Sequence, residues 1–187
     1  MPSINNIRLY LFLAFSMLSV CVMAVDSNIA SSTVTLGVTE VSLLKSTSGV
    51  INLTLAHQDA GMSVETSKSD STARLLISSV ITSATRTLSA KITSGNVPSG
   101  AHLALVAMQP NANFVGVSGN IGPQITLDAT DRSLVTGIGT CYSGTSASDG
   151  FALKFIFALD LNPGSYGTLR ATSGVQIVVS LTLSAAQ

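Results

Sequence analysis

The sequence predicts an all-β protein, an antiparallel Ig-like β-sandwich of roughly nine to ten strands behind an N-terminal signal peptide. Three observations predict it. Apolar and polar residues alternate with period two in segment after segment, as half-buried strands require. Clusters of Gly, Pro, Asn and Ser punctuate those segments at spacings of roughly 8–15 residues. No long stretch carries the 3.6-residue period of an amphipathic helix.

Residues 1–24 have the layout of a signal peptide. Arg8 is the one charged side chain before Asp26. An apolar run from Leu9 through Val22 follows, and Val22-Met23-Ala24 fits a cleavage site after Ala24. The run is short for a stable transmembrane segment. Residues 25–32 are small and polar and read as a flexible leader, and residues 33–187 read as a single sandwich domain.

Within that domain, Val34, Leu36 and Val38 alternate with Thr33, Thr35 and Thr39. Val41 and Leu43 carry the pattern to a turn at Ser46-Thr47-Ser48-Gly49. Ile51, Leu53 and Leu55, alternating with Asn52 and Thr54, predict the next strand. Residues 56–72 predict a polar loop with one short strand around Met62–Val64. From Leu75 to Ile81, β-branched side chains favour a strand over a helical turn. Thr87–Thr93 puts Leu88, Ala90 and Ile92 on one face, and Gly95–Gly100 is a turn. Leu103–Met108 is apolar on both faces, as a central strand is.

Residues 109–122, with Pro110 and three glycines, predict an irregular loop. Short strands at Ile125–Leu127 and Leu134–Ile138 precede a turn-rich stretch at 139–150. Phe151, Leu153, Phe155, Phe157 and Leu159 then line one face of a strong strand, broken at Asn162-Pro163-Gly164. The last strand, from about Gly174 to Ser184, has an apolar residue at every odd position from Val175 to Leu183. It is expected to make the largest single apolar contribution, at about 1.5–3 kcal/mol for each buried side chain.

Charged residues make up 10% of the 187-residue chain, against about 25% in ordinary globular proteins. Loss of residues 1–24 would leave 163 residues carrying 8 basic and 9 acidic side chains. A near-neutral surface excludes nucleic acid as a partner, because phosphates demand a basic footprint. It favours association of the chain with itself or with other envelope proteins. Once Cys21 leaves with the signal, Cys141 stands alone. It reads either as an intermolecular disulfide or as a small buried hydrophobe.

No catalytic set emerges, and the chain is read as non-enzymatic, with no cofactor and no metal. His57 and His102 lack further ligands at metal spacing. Asp59, Glu65 and Asp70, and separately Asp128 and Asp131, lack the loop pattern of a calcium site. No Gly-x-Ser-x-Gly elbow occurs. Tyr142 and Tyr166, both in glycine-rich turns, are the candidate ligand-binding side chains, since their rings offer an apolar body with a polar tip.

The run from Leu88 through Gly100, followed by Leu103-Ala104-Leu105, resembles a recurring segment of small exported proteins of Bacteroidota. So does Gly139-Thr140-Cys141-Tyr142-Ser143-Gly144, which matches their Gly-x-Cys-Tyr-x-Gly turn, and so does the glycine-led C-terminal strand. That resemblance implies export and a sandwich fold. A looser similarity is to bacterial fimbrial subunits, from whose chaperone–usher type the chain departs by lacking a cysteine pair and a penultimate aromatic. Together these imply an exported structural or surface protein, fimbria-like, that associates through strand edges. The alternative is a surface binding module for a glycan or host ligand, using loops 109–122 and 139–150.

Overall fold

A computed structural model describes residues 31–57, 59–162 and 164–184. The expected signal peptide, its cleavage site at Ala24 and the start of the leader lie outside the described residues. The chain divides into residues 1–37 and residues 38–187. In the first unit, residues 31–37 take no regular secondary structure.

The second unit is all-β apart from one helical turn. Its strands are β1 (Val41–Ser46), β2 (Ser67–Asp70), β3 (Arg74–Val80), β4 (Arg86–Ser94), β5 (Ala101–Met108) and β6 (Val115–Gly116). They continue with β7 (Asn120–Ile121), β8 (Ile125–Thr126), β9 (Arg132–Ile138), β10 (Cys141–Tyr142), β11 (Phe151–Leu159) and β12 (Val178–Leu183). The helical turn, α1 (Ser165–Thr168), lies between β11 and β12.

All pairings are antiparallel and fall into two sheets. The larger sheet runs β6-β10-β3-β11-β5-β8, with β1 added to β3 and β2 added to β11. The smaller runs β12-β4-β9-β7. The expected antiparallel sandwich is thus what the chain forms, with twelve short and long strands among the described residues.

One core joins the sheets. Leu75, Ile77, Leu105, Phe151 and Leu153 come from the larger sheet, and Leu88, Ala90, Leu134, Val135 and Ile138 from the smaller. Leu75 and Ile77, Leu88 and Ala90, and Phe151 and Leu153 follow the period of two, whereas the adjacent Leu134 and Val135 are both buried in β9, whose register with β4 shifts there. Strand β11 departs from simple alternation. Ala152 is buried as well as Phe151 and Leu153, because β5 flanks it on one side and β2 and β3 on the other. Phe114 packs edge-on against Phe151, with ring centroids 5.5 Å apart. At the entry to β11, Gly150 takes φ +78°, and a Cβ there would strike the Leu75 carbonyl. Only glycine lets these backbones approach so closely.

Several expected elements differ from those formed. No strand spans 33–39 or 51–55, although both alternate, because neither has a ladder partner among the described residues. The short strand expected at Met62–Val64 forms instead at β2, whose sequence Ser-Lys-Ser-Asp is polar on both faces. Its place is set by hydrogen bonding to β11, not by apolar burial. The loop 109–122 contains the two-residue strands β6 and β7, and the stretch 139–150 contains β10.

The last strand is shorter than expected. Pairing with β4 begins at Val178, with an irregularity between Val178 and Val179. As the end strand of the smaller sheet, β12 leaves Val179, Leu181 and Leu183 half-buried. The principal burial therefore lies in the centre of the sandwich, not in its final strand. Phe151→Ala is expected to cost about 3–5 kcal/mol, and Ile177→Ala clearly less. Urea unfolding of the two variants checks the ranking, and equal losses would contradict the edge position of the final strand.

Candidate functional site

The two sheets do not meet evenly along the side where β1 and β12 lie. At one end this seam is closed by Arg86, the largest fully buried side chain among the described residues. Arg86 is on the inward face because it shares parity with Leu88 and Ala90. Its Nε donates to Ser79 Oγ on β3 at 3.2 Å. One terminal nitrogen donates to the Ser184 carbonyl just past β12 at 2.9 Å. The other donates to Glu40 and to the Val41 carbonyl at the start of β1. A guanidinium carries five N–H donors in a fixed fork, and here they tie both outer strands to the sandwich.

At the other end the seam opens into a groove of about 860 Å³. Its floor is apolar: Leu103, Leu153, Phe155 and Phe157 from the larger sheet, and Ile177, Val179 and Leu181 from β12 and its approach. The groove exists because two strands fail to continue. Past Ser46, the chain leaves the β1–β3 ladder. Strand β2, which carries the line of β3 along β11, receives no partner on its other edge among the described residues. The outer edge of β12 likewise receives no partner among the described residues.

Residues 48–57 cross this opening. Ile51, Leu53 and Leu55 are half-buried and line the groove, while Asn52 and Thr54 are exposed. From Val50 to Leu55, no main-chain N–H donates to any other described group. The segment is held by side-chain packing and by two bonds at its end. There the Glu65 N–H donates to the Ala56 carbonyl at 2.9 Å, and the Ala56 N–H donates to the Glu65 carboxylate at 3.1 Å.

The sequence candidates scatter around this geometry. Tyr166, in α1, lines the groove, and its hydroxyl accepts the Val64 N–H at 3.2 Å. Tyr142 sits on β10, exposed and outside the groove lining, so the two tyrosines form no common platform. His57 also lines the groove. His102 Nδ1 lies 2.7 Å from Asp160. Among the described residues, no three His, Cys, Asp or Glu side chains gather as metal ligands.

Most of the loop carboxylates are engaged within the protein. Asp128 accepts from Arg132 and from the Thr130 N–H, which together hold it down at about 2. Asp131 accepts from Lys91, and Asp70 from Thr72.

Cys141 is 5% exposed, and burial pushes its thiol up to about 11. It pairs with Ser79 on one side and Gly116 on the other. An interchain bridge at Cys141 would require this buried thiol to be uncovered. Around it, the Gly-x-Cys-Tyr-x-Gly turn has a structural explanation. Ser143 Oγ accepts the Ile77 N–H at 2.9 Å, and Thr140 Oγ1 accepts the Ile81 N–H at 3.2 Å. Gly144 sits at φ +88° against the Asp149 carboxylate, where a Cβ would collide.

Asp149 itself is buried and was not singled out from sequence. It accepts from Asn111, Asn113 and the Ser146 N–H, each at 2.8 Å, joining loop 109–122 to loop 139–150. Those donors hold its carboxyl below the usual range. An Asn-x-Asn sequence in one loop and a Ser-x-Ser-Asp-Gly sequence in the other were its available signals.

No protein-family model, curated protein or solved structure matches the chain. Among the described residues, no helix is long and apolar enough to cross a membrane.

Two outcomes follow from the buried polar groups. Arg86→Met is expected to cost about 1–3 kcal/mol by orphaning acceptors at Ser79, Val41 and Ser184, measured as a lower urea midpoint. Because the folded pKa of Asp149 is depressed, its stabilisation is present above the ordinary carboxylate range and fades as pH falls through the folded value. Asp149→Asn should therefore be less stable than wild type at pH 7. The difference should shrink in acid, and a difference that does not change with pH would contradict the assignment.

Proposed function

We propose that the chain is an exported structural or surface subunit, fimbria-like, that associates with copies of itself or with envelope proteins through its strand edges. The observation that carries this reading is the open seam. Among the described residues, β12 lines an apolar groove with one edge unpaired, and β2 leaves a second edge unpaired. Exposed edges present rows of N–H and C=O groups that accept a further strand. The near-absence of net charge supports the same reading, since little repulsion opposes contact between copies. So does the exposure of Val34, Leu36 and Val38, at 73%, 88% and 87%. Three large apolar side chains at strand period, bare to water, are the kind of surface that marks an interaction segment. The export signal and the resemblance to exported sandwich proteins give the setting. The reading assigns no catalytic step.

A second reading, a binding module for a glycan or host ligand, draws support from Tyr166 at the groove wall. Its loops 109–122 and 139–150 are instead fastened to each other through Asp149.

Deletion of residues 25–38 is expected to abolish assembly and leave a folded monomer. Light scattering over a concentration series, with circular dichroism as the folding control, checks this. Assembly that survives the deletion would overturn the reading. A protein that stays monomeric at every concentration, and loses a ligand on Tyr166→Ala, would establish the binding module instead.

A further inference from the structure

The groove holds one charged group that association through strand edges does not use. Arg170, just past α1, lines it and is exposed. Its Nη1 donates to the Gly167 and Leu169 carbonyls, each at 2.9 Å, which fastens the guanidinium to the end of the helical turn. Among the described residues, no carboxylate pairs with Arg170, and no Asp or Glu lines the groove. Glu65, bonded to the end of the covering segment, is taken by the Ala56 N–H and by Lys68.

From this we propose that the groove binds a free long-chain fatty acid, its alkyl chain on the apolar floor and its carboxylate on Arg170. The proposal is independent of the strand-edge reading. A space of about 860 Å³ falls within the roughly 300–1,000 Å³ of small-ligand sites. Such sites are mostly apolar, with a few polar groups that fix the ligand's orientation. Here Phe155, Phe157, Ile177, Val179 and Leu181 supply apolar surface, and Arg170 supplies the charge. Tyr166, from the preceding turn, also lines the groove, and its hydroxyl proton has no acceptor among the described residues.

Charge decides which amphiphile fits. A guanidinium fork meets a carboxylate with two parallel hydrogen bonds, and one cation balances one negative charge. A phosphate monoester carries about −1.5 to −2. Part of that charge would stand uncompensated beside apolar walls, which is costly. An uncharged lipid would gain nothing from Arg170. The covering segment does not bar the way. Ile51, Leu53 and Leu55 reach the groove from a stretch without ladder hydrogen bonds among the described residues. An entering alkyl chain therefore exchanges one set of apolar contacts for another and breaks no main-chain bond there.

Titration of the purified protein with cis-parinarate, a long-chain carboxylate whose fluorescence rises when it leaves water, tests this directly. Saturable binding is expected, with displacement by laurate. Dodecanol, which keeps the tail and lacks the charge, should displace at least about tenfold more weakly. Absence of saturable binding would overturn the proposal, and so would an alcohol that competes as well as the acid. Displacement by phosphatidylglycerol vesicles but not by laurate would assign the groove to a membrane lipid and overturn it as well.

Variants locate the site. Arg170→Met should weaken cis-parinarate binding at least about tenfold while changing the affinity for dodecanol by less than about twofold. Tyr142→Ala, outside the groove lining, should leave both unchanged. An affinity for the carboxylate that does not respond to Arg170→Met, or that falls equally with Tyr142→Ala, would overturn the proposal. Circular dichroism is the folding control, and the acid–alcohol comparison on the wild type decides the matter if Arg170→Met fails to fold.

Discussion

The buried guanidinium of Arg86 is the constraint on which the remaining architecture depends. A charge taken from water is costly unless each of its donors finds an acceptor. Arg86 meets that demand by recruiting a hydroxyl from β3, a carboxylate and a carbonyl at the entry to β1, and a carbonyl at the exit of β12. Those acceptors come from both sheets. The polar requirement of one side chain thereby brings the edge strands of two layers to one corner. The apolar core supplies most of the burial, but burial is non-directional and does not by itself decide where the outer strands end up.

With one end of the seam closed in this way, the other is left to packing alone, and it opens. The β1–β3 ladder ends at Ser46–Leu75. Beyond it lie an apolar floor and a covering segment that contributes side chains but no ladder among the described residues, where β2 and β12 also each keep one edge unpaired. The two edges differ. Ser67-Lys68-Ser69-Asp70 is polar and charged, the kind of edge that resists casual pairing, whereas β12 carries alternating Val and Leu. The function proposed for the chain grows from that asymmetry between a pinned and an open end, and from the apolar leader that precedes Glu40.

Much of the fold was legible in the chain because alternation reports directly on which side chains need burial. Leu88, Ala90 and Ile92, or Phe151, Leu153 and Phe155, could be placed on inward faces without knowing their neighbours. The same rule extends to Arg86, two residues before Leu88, yet a charged residue at an inward position reads naturally as a strand end. Alternation is silent about hydrogen-bond partners. It marks 33–39 and 51–55 as strands although neither finds a ladder among the described residues, and it misses β2, which has a ladder and no apolar residue. The groove was illegible for the same reason. It arises where Ser46, Phe157 and Ile177, far apart in sequence, come together without pairing. The Cys141–Tyr142 turn drew notice as possible chemistry, whereas its neighbours Thr140, Ser143 and Gly144 serve β3 and Asp149.

Arg86 also has a mechanical meaning. Glu40 and Val41, where the sandwich begins, and Ser184, where its described part ends, are bonded to the same side chain. A pull applied across these two points does not first peel β1 from β3 or β12 from β4. It loads the guanidinium, whose bonds to the two ends share the tension and must give way nearly together. The fold then behaves under force as a clasp with a single yield point, and the strength of the whole sandwich in tension is set by one side chain that bridges its two layers.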